Sequence, residues 1–143
     1  MIPRTLLIVS RPFGARLSAE RAAAAIAAGL RDGGWETDTC SLDTEDERAA
    51  ARALAQSSEF HARLRAARAL VVAVPLLDEQ TLAGSVAFEV ATRARQSGVP
   101  AYAVAGENQL DSFDARILDL QTILSARTHR SLRNAGARLA KLV

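Results

Sequence analysis

Residues Ala69 to Gly106 read ALVVAVPLLDEQTLAGSVAFEVATRARQSGVPAYAVAG, and their pattern decides the fold. Leu70 to Val74 is an unbroken apolar run closed by Pro75, as expected of a parallel strand covered on both faces. Asp78-Glu79-Gln80-Thr81 follows as a polar loop, and Thr81 to Gln96 reads as a helix. Ser97-Gly98-Val99-Pro100 then turns the chain into a second buried strand, Ala101 to Ala105. Strand, loop, helix and strand make half of a doubly wound α/β unit, in which ligands sit beyond the carboxyl ends of the strands.

The flanking sequence extends the same alternation. Thr5 to Val9 is another apolar, β-favouring run, broken by Arg11-Pro12-Phe13-Gly14. Ser18 is placed to cap a helix from Ala19 to Arg31, and Asp32-Gly33-Gly34 ends it. Trp35 to Leu42 reads as an edge strand, Glu45 to Gln56 as a helix with acids in its first turn, and Ser58 to Ala67 as a helical continuation. Beyond Gly106, Asp111 is placed to cap a helix whose Phe113, Ile117, Leu120 and Leu124 share one face. A last helix from Ser131 carries Leu132, Gly136, Leu139 and Val143 on one side. Together these predict a flavodoxin- or Rossmann-like three-layer α/β/α sandwich on a short parallel sheet of about four strands, with right-handed crossovers.

Composition narrows the function. The chain has 143 residues, 49% apolar and 24% charged, which suits one folded domain with a real core. The start, MIPRTLLIVS, reads as a first strand, since no small-residue cleavage site follows it. No apolar run approaches the roughly 18 residues of a membrane span. Cys40 is the only cysteine, so no internal disulfide is possible and a cytoplasmic location is the default. Net charge is +2, with Lys141 the sole lysine among 18 basic residues and the arginines interspersed with acids. Neither nucleic acid nor a membrane is an expected partner. Arg63, Arg65 and Arg68 read as a solvated helix face.

Several motifs are missing. No lysine follows a glycine-rich turn as in a Walker A loop, and no G-x-G-x-x-G follows the first strand. Cys40, His61 and His129 are too scattered for a zinc site. Gly84-Ser85 is no G-x-S-x-G nucleophile elbow.

Three blocks resemble the bacterial glycerate kinase family. Ile8 to Ala19, leading into AAAAIAAGL, is similar to the family's IAPDSFKGSLSA and the helix after it. Phe13, Leu17, Ser18, Ala19, Ala25, Ile26, Gly29 and Leu30 match there. Asp78, Gln80, Thr81, Leu82 and Gly84 match GEGR-x-D-x-QT-x-x-GK in register, and Gly98 to Gly106 resembles GVPV-x-A-x-AG. Leu110 to Leu142 looks like the family's carboxyl-terminal helices. The charged positions depart from the pattern. The family's aspartate and lysine of the first block fall at Arg11 and Gly14, its GEG at Ala73-Val74-Pro75, its arginine at Leu76 and its second lysine at Ser85. Where the family carries DGGEGT and a large second lobe, this chain has Asp43-Thr44-Glu45-Asp46-Glu47-Arg48 and passes almost at once to its next strand.

The resemblance implies a single glycerate kinase-like α/β domain over residues 1–143, without the second lobe. It makes Asp78 the candidate catalytic residue, as a metal or hydroxyl contact; a cap or turn role is the plainer alternative. Ser10, Arg11, Ser18, Gln80, Thr81 and Ser85, with Glu107 beside them, would line an anion-binding crevice between two helix N-termini, given a strand order of 2-1-3-4. Phosphoryl transfer rests on positioning and charge neutralisation by lysine, arginine and magnesium, and the cations for it have been replaced. The expectation is an impaired or inactive kinase-like protein binding a small anion or phosphate. ATP and Mg2+ belong to the alternative, an active kinase of small hydroxy acids. A third reading is an interaction protein, most simply a homodimer covering the surface a missing lobe would expose.

Overall fold

The computed structural model describes residues 4–143, with Thr81 described by its backbone alone. Five strands, β1 (Thr5–Ser10), β2 (Glu36–Ser41), β3 (Ala69–Leu77), β4 (Ala101–Asn108) and β5 (Ile123–Ser125), form one sheet in the order β2-β1-β3-β4-β5. Every pairing is parallel. The six helices are α1 (Ala19–Asp32), α2 (Glu47–Gln56), α3 (Ser58–Arg65), α4 (Val86–Gln96), α5 (Ser112–Leu118) and α6 (His129–Leu142). The strand order is the flavodoxin-like one, which reverses direction between β1 and β3.

Strand alternation sorts the core into two layers. Leu7, Val9, Leu70, Val72 and Ala103 face α2, α3 and α4 through Leu54, Phe60, Leu64 and Val90. Leu6, Ile8, Val71 and Val104 face α1 and α6 through Ile26, Leu30, Leu132 and Leu139. The helices α1 and α6 approach unusually closely. A Cβ on Gly136 would lie 2.2 Å from the Ile26 carbonyl oxygen, and one on Gly29 would lie 2.1 Å from that of Arg133.

Four expectations from sequence change. The sheet has five strands, not about four. The expected long helix after Asp111 stops at Leu118 because Asp119 takes a left-handed conformation, φ 53° and ψ 44°. The chain then pairs Ile123–Ser125 with Ala103–Ala105, which satisfies backbone groups of the buried β4 that would otherwise lack partners. The predicted apolar face therefore does not exist as one face: Phe113 is 71% exposed, whereas Leu124 is buried in β5.

Pro75 does not close β3, which continues to Leu77. Pairing with β1 ends at Ala73, while pairing with β4 runs on to Leu77. From Val74 onward β3 is thus an edge, where the missing proline N–H is tolerated. Finally, the helix expected from Thr81 is split. Glu79–Leu82 is a short 3-10 helix, Gly84 has φ +72°, and α4 begins only after Ser85.

The placement of Phe113 can be checked directly. Phe113→Ser should change stability by no more than about 0.5 kcal/mol in urea unfolding at low protein concentration, as for a surface site. Phe60→Ala, in the core, should cost about 3 kcal/mol or more.

Candidate functional site

All parallel strands release their loops at one edge of the sheet, and the reversal point between β1 and β3 opens there as a cleft of about 670 Å3. Its floor and walls come from the overhanging end of β3 (Val74, Pro75, Leu76), the start of α4 (Ser85, Ala87) and the start of α2 (Glu47, Arg48). Arg11, Asp78, Gln80 and Ser85 of the expected site residues line it. Asp78 is half-buried at the end of β3, whereas Glu79 and Gln80 are exposed. Ser10 and Ser18 are not in the lining. Ser10 is fully buried, its hydroxyl donating to the Arg11 carbonyl at 3.1 Å. Ser18 caps α1, its hydroxyl accepting from the Arg21 N–H at 3.2 Å. Thr81 lies in the 3-10 helix, and its side chain is outside the described structure.

Two residues that sequence reasoning did not single out occupy the helix N-termini. The Asp43 carboxylate accepts from the Ala19 N–H of α1 at 2.8 Å. The Glu47 carboxylate accepts from the Val86 N–H of α4 at 2.7 Å. Ser85 completes the α4 cap by accepting from the Phe88 N–H at 3.0 Å. A carboxylate at such a position is stabilised by the unpaired N–H groups and the helix dipole. The acids around the start of α2 are therefore shared among three helices: Asp46 caps α2 itself, and Asp43 and Glu47, the first residue of α2, serve α1 and α4. An acidic run just before a helix is the signal that could have found them, but not which helix they reach.

Glu47 also pairs with Arg11, Oε1 to Nε at 2.8 Å. The Arg11 side chain is only 7% exposed and that of Glu47 is 43% exposed. The two terminal nitrogens of Arg11 donate to the carbonyls of Leu42 and Thr44. The guanidinium is thus tied to the β2–α2 segment on every edge that its donors reach. Arg48 is exposed and runs along the cleft beside Gly84, its Nε 3.7 Å from where a Cβ there would sit. A neighbouring hollow of about 350 Å3 is lined by Asp78, Glu79, Gln80, Gln109, Asp111 and Asp114. Glu107 and Arg127 border a smaller one, and Arg127 donates to the Gly106 carbonyl at 3.0 Å. Acids dominate this edge of the sheet. Among the described residues, no three or more His, Cys, Asp or Glu are grouped so as to hold a metal ion.

Away from this edge, Arg63 is not merely solvated: it grips Asp38 with two hydrogen bonds of 2.8 and 2.7 Å. Beside that pair, burial pushes the Cys40 thiol up from its ordinary range, only partly offset by Arg63. A raised thiol pKa means the folded state favours the neutral form. That contribution is complete below the ordinary thiol value of about 8.5 and is lost as pH rises through the folded value. Stability should therefore decline above about pH 8.5, and Cys40→Ala should reduce that decline in urea titrations across the alkaline range.

No helix among the described residues is long and apolar enough to cross a membrane. Solved structures share the fold at low identity. A diflavin flavoprotein A3 from Nostoc sp. is 15% identical, with TM-score 0.52, over 99% of this chain and 94% of that one. An oxidoreductase from Corynebacterium diphtheriae is 15% identical, with TM-score 0.54, over 100% and 98%. A flavodoxin-like domain from Synechococcus sp. is 16% identical, with TM-score 0.52, over 96% of each chain. At these identities the likeness concerns architecture alone. No curated protein matches the chain at a significant level. The glycerate kinase family does match, over residues 39–143, a span that holds the Asp78-to-Gly84 motif and the whole cleft apart from Arg11, and the chain belongs to that family.

Proposed function

We propose that this protein is a one-lobed member of the glycerate kinase family that does not carry out phosphoryl transfer. The observation that supports this most is the Glu47 carboxylate, which stands between Arg11 and the α4 N-terminus, where an anionic substrate group would be drawn. Asp43 holds the N-terminus of α1 in the same way. Phosphoryl transfer needs cations and dipoles directed at the transferring group. Here the buried cation and both helix N-termini are spent on the protein's own carboxylates. The residues present do not fit ATP phosphates with their magnesium, because the remaining groups of the cleft and the hollow beside it are mostly acidic or apolar. Losing one preorganised donor typically costs about a hundredfold to a thousandfold in rate, and this cleft has lost several.

A coupled assay with ATP, magnesium and glycerate tests the reading. Purified protein should give no turnover above the no-enzyme background. Turnover near about one per second, the low end of kinase rates, would refute it and favour the active kinase. Self-association is a second reading, favoured by Phe113 and Ile117, which lie exposed on successive turns of α5. A strictly monomeric mass by light scattering at high concentration would count against it.

A further inference from the structure

We propose that Arg11 and the N-terminus of α4 form a seat for a small oxyanion, phosphate or carboxylate in size, which Glu47 occupies in cis and can vacate. The inference deepens the reading just given, since the contact that denies the cleft to a phosphate is the one that marks the seat. Three features carry it. First, the seat is built: Arg11 is 7% exposed, and its terminal nitrogens are held by the Leu42 and Thr44 carbonyls. That leaves Nε pointing at the occupant. Second, the occupant is an anion bound with good geometry at both poles, one oxygen 2.8 Å from Arg11 Nε and the other 2.7 Å from Val86 N. Two oxygens on one phosphorus or one carboxyl carbon present a closely similar pair. Charge-assisted bonds of this kind are the strong ones.

Third, the occupant is free to leave. Glu47 is the first residue of α2, but that helix is capped by Asp46, which accepts from the Ala49 N–H at 3.0 Å. Rotating Glu47 outward therefore removes no bond that α2 requires. The Glu47 side chain is 43% exposed and borders the 670 Å3 cleft, so an incoming group has room and the displaced carboxylate has water. A ligand tethered in cis competes at an effective concentration in the millimolar range or above. Free phosphate at ordinary concentrations cannot displace it from the native protein, and removing the tethered competitor should expose the seat.

The test follows the Val86 backbone amide by 15N NMR while inorganic phosphate is added at constant ionic strength, with sulfate and acetate as parallel arms. In Glu47→Ala the amide should shift and saturate, with a midpoint at least about tenfold below that of the native protein. Phosphate and sulfate saturating without acetate would assign the seat to tetrahedral oxyanions; all three saturating would assign it to carboxylates as well. Glu47→Gln, which keeps the shape, guards against misfolding and should show the same trend. Adding Arg11→Met to Glu47→Ala should abolish saturation while the Val72 amide stays dispersed as in the folded protein. An amide that responds equally in native and Glu47→Ala protein, that does not respond in either Glu47 variant, or that still saturates without Arg11 would overturn the proposal. Turnover in the kinase assay would instead sink the functional reading and leave this titration standing.

Discussion

Gly136→Ala should destabilise the protein by about 3 kcal/mol or more, measured by urea unfolding, although alanine is the better helix former by about 1 kcal/mol. The new Cβ would meet the carbonyl oxygen of Ile26 at 2.2 Å and its carbonyl carbon at 3.0 Å. These are backbone atoms in the middle of α1, and no rotamer change moves them. The helices must separate, and the separation is felt through Ile26, Leu30, Leu132 and Leu139, all fully buried between α1, α6 and the sheet. Overpacking ordinarily costs about 1–3 kcal/mol because side chains adjust; here they cannot. Gly29→Ala should behave the same way from the other side, since its Cβ would lie 2.1 Å from the Arg133 carbonyl oxygen. A loss below about 1 kcal/mol for both would mean that the two helices are not as close as described.

Arg11→Met is the second large effect, expected at about 2–3 kcal/mol. The size follows from where the interactions go. The Glu47 carboxylate is 43% exposed, so on losing Arg11 it can turn to water and keep the Val86 N–H. The pair itself is therefore worth no more than about 1 kcal/mol. The larger loss is at Leu42 and Thr44, whose carbonyls receive the charged donors of Arg11 and hold the β2–α2 segment against β1. Glu47→Ala should cost less than Arg11→Met, about 1–2 kcal/mol, because it removes the pair and the Val86 N–H contact but leaves the Leu42 and Thr44 bonds in place. Arg11→Lys should not rescue the loss, because one ammonium cannot reach three acceptors in different directions. If the two single variants lose equal stability and the double variant loses no more, the ion pair, and not the carbonyl contacts, dominates.

How much of this was legible depends on the range of the interaction. Leu70 to Val74 and Thr5 to Val9 announced central strands through local composition, and Ser18 announced the cap on α1 through a side chain that bonds three residues away. The family motif placed Asp78 and Ser85 at the same edge, where the cleft is. Sequence reasoning failed where a long-range partner overrode a local pattern. Phe113, Ile117, Leu120 and Leu124 are spaced for one helix face, yet β4 needed a neighbour and took Ile123–Ser125. Gly84-Ser85 carried a legible stop and cap, outweighed by the apolar periodicity on either side. The roles of Asp43 and Glu47 could not be read at all. Each bonds a helix 24 or 39 residues away in sequence, and an acid before α2 looks the same whether it caps α2 or reaches another helix.

The α1–α6 seam has a consequence for how the molecule assembles. It joins residues 19–32 to residues 129–142, so the part of that sheet face which α6 covers stays bare until residues 129–142 have emerged from the ribosome. The other face is clothed by α2, α3 and α4, which lie between the central strands along the chain. Such long-range closure is slow relative to local contacts, and bare apolar surface invites chaperones or aggregation in the interval. A nascent chain stalled before Thr128 should be captured by a holdase, and one in which residues 129–142 have emerged and folded should not.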